Sequence, residues 1–121
     1  MAEVIDRTVL AALSDSVGAE FVAELIDTFR EEAPGMFEEL RQTLSKSDVD
    51  SFRRAAHSLK TNANTFGANQ LAELARELEI RARTNDLPGV SKLDALEDAY
   101  QAAVAELISY KVTLIKKGSI L

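Results

Sequence analysis

The sequence predicts an all-α fold, an antiparallel four-helix bundle with a short N-terminal capping helix. Apolar residues recur at steps of three and four along almost the whole chain, which is a helical spacing, and no stretch shows convincing strand alternation. Turn residues separate these segments by only a few positions, and short connections favour neighbouring helices that run in opposite directions. A length of 121 residues with 46% hydrophobic residues suits one domain, residues 1–121, around one core.

The first half of the chain contains three predicted helical segments. Asp6 is the expected N-cap of a short first helix that ends near Val17. A second helix is predicted over Ala19–Ala33. A third, Pro34–Lys46, is set apart from it because its first two residues, proline and glycine, interrupt a helical pattern and proline is best tolerated in a first turn.

The second half contains three more predicted helices, Val49–Phe66, Asn69–Thr84 and a last one from about residue 90 to about residue 116. Gly67 lies between the first two and is the residue best able to adopt a positive φ at a helix end. These two helices should therefore form an antiparallel hairpin. The last helix carries an apolar seam at strict three-four spacing, formed by Leu93, Leu96, Tyr100, Ala103, Leu107, Tyr110 and Leu114.

The helix over residues 49–66 carries two adjacent stripes at helical spacing. The stripe predicted to be buried consists of Phe52, Ala56, Leu59, Ala63 and Phe66. A second stripe, rotated about a third of a turn towards solvent, consists of Arg53, His57, Lys60 and Asn64. His57 is the only histidine of the chain, so a single imidazole lies beside two cations and an amide on an exposed flank.

This arrangement of His57 suits phosphate chemistry. An exposed imidazole is largely neutral and nucleophilic near neutral pH, and histidine is among the side chains that form covalent intermediates. Lys60 lies one turn after His57 and Arg53 one turn before it, within reach of the charge that a phosphoryl group would bring. A lone surface histidine on an amphipathic helix is the alternative interpretation of the same pattern.

The segment around His57 resembles the signature of histidine-containing phosphotransfer (HPt) domains of multistep two-component signalling. That signature reads approximately H-x-L-K-G-x-x-x-x-(apolar)-G-A. The matching residues of this chain are His57, Leu59, Lys60, Phe66, Gly67 and Ala68. The resemblance extends to the length and helical layout of nearly the whole chain. Thr61 departs from it, since the family usually has a glycine there that leaves room for a partner.

The resemblance implies a phosphohistidine carrier in a two-component phosphorelay. His57 would accept a phosphoryl group from the aspartate of a receiver domain and pass it to another receiver, and Lys60 would stabilise the charge of that group. The partners implied are a response-regulator receiver domain, a hybrid histidine kinase, or both. No intrinsic kinase activity is expected and no cofactor of the chain's own, because the Mg²⁺ would belong to the receiver.

Further site residues follow from the helix and the predicted hairpin. The docking face for the partner should have Arg53 at one end, Thr61 in the middle and Asn64 or Phe66 at the other end. His57 lies ten residues before Gly67, which places positions 77–79 at the same level on the facing helix. Glu79 is the favoured polar neighbour of the imidazole and could orient the ring by accepting its N–H, with a plain surface glutamate as the open alternative.

Composition excludes several other classes of protein. A formal charge of −6 argues against nucleic acid or an anionic membrane as partner. A chain without cysteine, glycine-rich phosphate loop or second histidine offers no thiolate metal site, no nucleotide-hydrolysing loop and no di-metal centre. We expect a cytoplasmic protein, since neither a leader nor a membrane-spanning stretch is evident. We expect a monomer, since no exposed apolar stripe clearly requires a second copy. One functional alternative remains: a non-catalytic helical docking module that binds a receiver or kinase partner without phosphotransfer.

Overall fold

A computed structural model describes residues 4–116, and α-helices account for nearly all of them. No strand occurs within this range, so the predicted all-α class is confirmed. The helices observed begin and end within one residue of the predicted bounds everywhere except in the first half of the chain. The five helices are α1 (Arg7–Val17), α2 (Ala19–Ser45), α3 (Val49–Thr65), α4 (Asn69–Arg83) and α5 (Val90–Lys116).

The predicted break at Pro34 is wrong, because α2 continues through this residue for 27 residues. Pro34 and Gly35 lie on the exposed side of the helix. A proline inside a helix costs about 3 kcal/mol, and here tertiary burial on both sides of it outweighs that cost. The buried stripe continues in phase across the proline through Val22, Ile26, Phe29, Ala33, Phe37 and Leu40.

The four longer helices surround one hydrophobic core. α2 contacts α3, α3 contacts α4, α4 contacts α5, and α5 contacts α2, while α1 packs on α2. Two sets of ion pairs, Asp27 with Lys111 and Arg41 with Asp94 and Glu97, connect opposite ends of α2 and α5. These two helices therefore run in opposite directions.

The start of α1 and the residue before it, Asp6, contact the turn that joins α3 to α4. Asp6 caps α1 as predicted, accepting hydrogen bonds from the amide (3.0 Å) and the hydroxyl (2.6 Å) of Thr8. The backbone N–H of Asp6 donates to the carbonyl of Gly67 at 2.8 Å. Gly67 has a φ of +69°, and a Cβ at this position would lie only 2.8 Å from the Asp6 carbonyl oxygen and 2.9 Å from Cβ of Val9. Glycine is thus needed at position 67 for two reasons: it adopts the positive φ readily, and it leaves room for α1 to pack against the turn.

Candidate functional site

The predicted apolar stripe of helix α3 faces the core, and the stripe that contains His57 faces solvent. Asp48 begins the helix by accepting a hydrogen bond from the Ser51 amide at 3.2 Å. All five residues of the predicted apolar stripe are buried, which fixes the rotation of the helix about its axis. His57 consequently faces outward, with 55% of its side chain exposed.

The imidazole of His57 contacts a carboxylate from the facing helix. Its Nδ1 lies 2.7 Å from Oε2 of Glu79, and Nζ of Lys60 donates to the other oxygen, Oε1, at the same distance. Glu79 is only 2% exposed, so the interpretation of a plain surface glutamate is wrong. The hairpin about Gly67 brings the two helices together at the level that the sequence predicted, and the three side chains form one hydrogen-bonded cluster.

A second cation, Arg83, belongs to this cluster and was not among the residues that the sequence predicted. It lies one turn beyond Glu79 on α4, and its guanidinium lies 3.4 Å from Oε2, the oxygen that also contacts His57. The i, i+4 spacing of Glu79 and Arg83 was the available signal, because residues four apart on a helix are neighbours.

The electrostatics keep Glu79 ionised near neutral pH. Burial raises the pKa of this carboxyl, but hydrogen bonds from Lys60 and His57 outweigh burial and hold the pKa below its ordinary value of 4.5. The stabilisation from this shift is therefore present at neutral pH and is lost as the pH falls through the lowered pKa.

An ionised Glu79 also fixes where the proton of the His57 ring lies. A carboxylate can only accept, so Nδ1 must donate and carry the proton. The other ring nitrogen, Nε2, is then left with a free lone pair. The arrangement thus presents an oriented, partly exposed nitrogen nucleophile backed by a buried negative charge.

The remaining predicted site residues lie on the same outer part of α3. Arg53 forms an ion pair with Asp50 at 2.9 Å on its own helix. Thr61 is exposed and donates through its hydroxyl to the backbone carbonyl of His57 at 3.0 Å. Asn64 is also exposed, one turn further on.

Phe66 does not belong to the exposed face, so the suggestion that it ends the docking surface is wrong. It is 2% exposed, and its ring stacks on Phe29 of α2 with the centroids 5.2 Å apart. Its position after the last residue of α3 follows the buried stripe, and burial of a large aromatic side chain fixes this end of the hairpin. Asn64 is the predicted residue that remains at that end.

Two further properties concern the described part of the chain. Residues 4–116 contain no group of three or more histidine, aspartate or glutamate side chains arranged to hold a metal ion. Across the same residues, none of the helices combines the length and apolar character that crossing a membrane requires.

Comparison with known families connects this geometry to a function. The family model described as "Hpt domain" matches residues 24–106, which include all of α3 and α4. The chain belongs to the Hpt domain family. As a member of that family, this Hpt protein is a phosphohistidine carrier of two-component signalling, and the docking module without chemistry is not favoured.

Individual relatives agree with this assignment. The Hpt protein is 27% identical to the phosphorelay protein LuxU of Vibrio vulnificus over 105 residues, covering 83% of this chain and 91% of LuxU. It is 28% identical to LuxU of Vibrio cholerae over 91 residues, covering 75% and 80%. The crystal structure of the histidine-containing phosphotransfer protein B (HptB) from Pseudomonas aeruginosa PAO1 superimposes with a TM-score of 0.84 at 26% identity, covering 93% of this chain and 98% of that one.

The family assignment also defines the general role of the Hpt protein. Hpt proteins in general are intermediates in phosphotransfer rather than kinases, and they interact with response-regulator or kinase partners. All four side chains of the cluster around Glu79 lie within the matched residues.

Proposed function

We propose that His57 is the phosphoacceptor of this carrier, taking a phosphoryl group from a receiver-domain aspartate and passing it to a second receiver. One observation carries this assignment. His57 is an exposed imidazole whose Nδ1 is held at 2.7 Å by a buried, ionised carboxylate, which leaves Nε2 free to attack.

The transfer itself requires one bond to form and one to break. The lone pair of Nε2 attacks phosphorus in line, the N–P bond forms, the P–O bond to the receiver aspartate breaks, and its electron pair returns to the aspartate carboxylate. The Nδ1 proton stays on the ring, so the ring of His57 gains positive charge. Glu79 is placed to offset that charge in both the forward and the reverse transfer.

Lys60 is proposed to balance charge on the transferring oxygens. It already forms an ion pair with Glu79 at 2.7 Å, one turn from His57, and its side chain is 22% exposed. Arg53 is the second cation proposed for this role and for contact with the partner, together with Thr61 and Asn64. The Mg²⁺ of the reaction is assigned to the receiver, so that the Hpt protein needs neither a cofactor nor a kinase activity of its own.

The architecture proposed for this function is a single-domain antiparallel four-helix bundle, residues 1–121, with α1 as its cap. The ring of contacts among α2, α3, α4 and α5 supports it, as do the short connections and the single core cluster of residues 4–116. We further propose that the carrier works as a monomer in the cytoplasm, where a one-to-one complex with each receiver suffices for transfer.

The proposed function is tested by incubating the purified chain with a phosphorylated receiver domain and Mg²⁺. We expect an acid-labile phosphate on the chain, mapped to His57 by mass spectrometry of peptides. Phosphate on a different residue would contradict the assignment of His57. Binding to a receiver without transfer, across a panel of receivers, would instead support the docking module.

Replacing Lys60 by alanine should slow transfer by roughly tenfold, since one charge-assisted contact to the phosphoryl oxygens is lost. Helical content should not change, although some stability should be lost because Oε1 of the buried Glu79 loses its hydrogen bond from Lys60. Single-turnover transfer from a phosphorylated receiver measures the rate, and Lys92→Ala, an exposed lysine on α5, is the matched control. Equal rates for the wild type and Lys60→Ala would remove Lys60 from the mechanism.

Replacing Thr61 by glycine should speed transfer from several receivers, because the side chain lies one turn after His57 on the face that a partner must approach. The glycine should also lower stability by roughly 0.3–0.5 kcal/mol, because threonine is itself a poorer helix former than alanine. Transfer rates from a panel of receivers provide the measurement. Thr65→Gly is the control, since Thr65 is an exposed threonine of α3 with the same hydroxyl-to-backbone hydrogen bond. A uniform lack of change would show that Thr61 does not select partners.

A further inference from the structure

The buried carboxylate of Glu79 has an unequal arrangement of donors on its two oxygens. Among residues 4–116, Oε1 accepts from Lys60 alone, at 2.7 Å. Oε2 is shared between Nδ1 of His57 at 2.7 Å and the guanidinium of Arg83 at 3.4 Å. A change in the hydrogen bond from Arg83 to Oε2 therefore also changes the hydrogen bond that orients the imidazole.

We propose that Arg83 is a positioning residue for phosphotransfer, which acts on the His57 ring through Oε2 of Glu79. This inference rests on the proposed function of His57. The cationic ring of phosphorylated His57 and the guanidinium of Arg83 both interact with Oε2 of Glu79. Arg83 therefore weakens the stabilisation that Glu79 gives to the phosphorylated ring, and it favours onward transfer to a receiver.

The strength of this effect is limited by solvent. The side chain of Arg83 is 59% exposed, whereas that of Glu79 is 3% exposed, so the pair is screened from one side only. Exposed pairs at i, i+4 spacing contribute modestly. We expect Arg83→Ala to shift the equilibrium towards phosphohistidine, and to slow donation to a receiver, by about two- to fivefold.

A second role for Arg83 can be separated from this one by experiment. Arg83 also lines a groove between α3 and α4 together with Arg53 and Asp50, where it could contact a receiver directly. A direct contact would act independently of Glu79. Action through Glu79 requires that the effect of Arg83→Ala disappears once the carboxylate is replaced in Glu79→Gln.

The transfer experiment compares five variants, including Glu79→Gln alone, with the wild type for rate and equilibrium of phosphoryl donation to one receiver. Arg83→Ala should show the two- to fivefold change, and Arg83→Lys should restore most of it because the charge is kept. Arg81→Ala is the matched control, an arginine of the same helix that pairs with Asp86 at 2.9 Å. The double variant Arg83→Ala/Glu79→Gln should behave as Glu79→Gln alone. Additive effects in the double variant would overturn the proposal.

A measurement on the unphosphorylated protein separates this inference from the function on which it rests. The ¹⁵N resonances of the His57 ring report the hydrogen bond at Nδ1 without any transfer reaction. Arg83→Ala should move the Nδ1 resonance, Arg83→Lys should return it towards the wild type, and Arg81→Ala should leave it in place. A ring signal that responds in a protein unable to accept phosphate would refute the proposed function alone. Unaltered ring signals in Arg83→Ala would refute the role of Arg83 alone.

Discussion

His57→Gln is expected to abolish phosphoryl acceptance completely while leaving the fold intact. Glutamine has no nucleophilic nitrogen to replace Nε2, because an amide nitrogen does not attack phosphorus. Its N–H can still donate to Glu79, so the buried carboxylate keeps a partner. Acceptance is measured as acid-labile phosphate after incubation with a phosphorylated receiver, and the fold is measured by circular dichroism and thermal unfolding.

The control for this substitution is Lys92→Gln, which changes an exposed side chain on α5, outside the proposed site. It should retain acceptance at His57 and match the wild type in stability. Phosphate on the His57→Gln protein would contradict the assignment of His57 as the phosphoacceptor. A large loss of helicity would show that the ring has a structural role that its 55% exposure does not suggest.

Gly67→Ala is expected to destabilise the protein by about 2–5 kcal/mol. An alanine at φ +69° costs roughly 1–2 kcal/mol in backbone strain. Its Cβ would also lie 2.8 Å from the Asp6 carbonyl oxygen, a backbone atom that cannot move aside without shifting α1, and overpacking of this kind costs about 1–3 kcal/mol. The midpoint of urea unfolding measures the change.

Gly35→Ala provides the matched control for Gly67→Ala. Gly35 lies on the exposed side of α2, no atom of residues 4–116 lies within 4 Å of an added Cβ, and no positive φ is required there. This substitution should stabilise the helix by about 0.5–1 kcal/mol. Equal stability of the Gly67→Ala protein and the wild type would show that α1 does not pack against the turn at Gly67 as closely as these distances indicate.

The local arrangement of the site could be predicted from the sequence because it depends on helical spacing and one turn. The apolar stripe of α3 fixes which way His57 faces, and the glycine between α3 and α4 fixes which positions of the two helices meet. Together these two features predict that Glu79 lies beside the imidazole. The depth of burial of Glu79 was not predictable in the same way, because it depends on packing across the whole hairpin.

Two other features could not be read from local rules. The Pro34–Gly35 pair normally ends a helix, yet the buried residues Ala33 and Phe37 on either side keep α2 continuous. Arg83 joins the cluster through the conformation of its side chain, which the sequence alone does not specify. Tertiary contacts decide the outcome at Pro34, whereas the i, i+4 spacing of Glu79 and Arg83 permits their contact without requiring it.

The cluster around Glu79 is also compact along the chain, and this bears on how the protein folds. His57 and Glu79 are 22 residues apart, on two helices joined by a three-residue turn, whereas α1 must return across about sixty residues to reach Gly67. Closing a short loop costs less entropy than closing a long one, so the α3–α4 hairpin is favoured as an early nucleus. Substitutions within the hairpin core should then slow folding, whereas loosening the contact of α1 with Gly67 should chiefly accelerate unfolding.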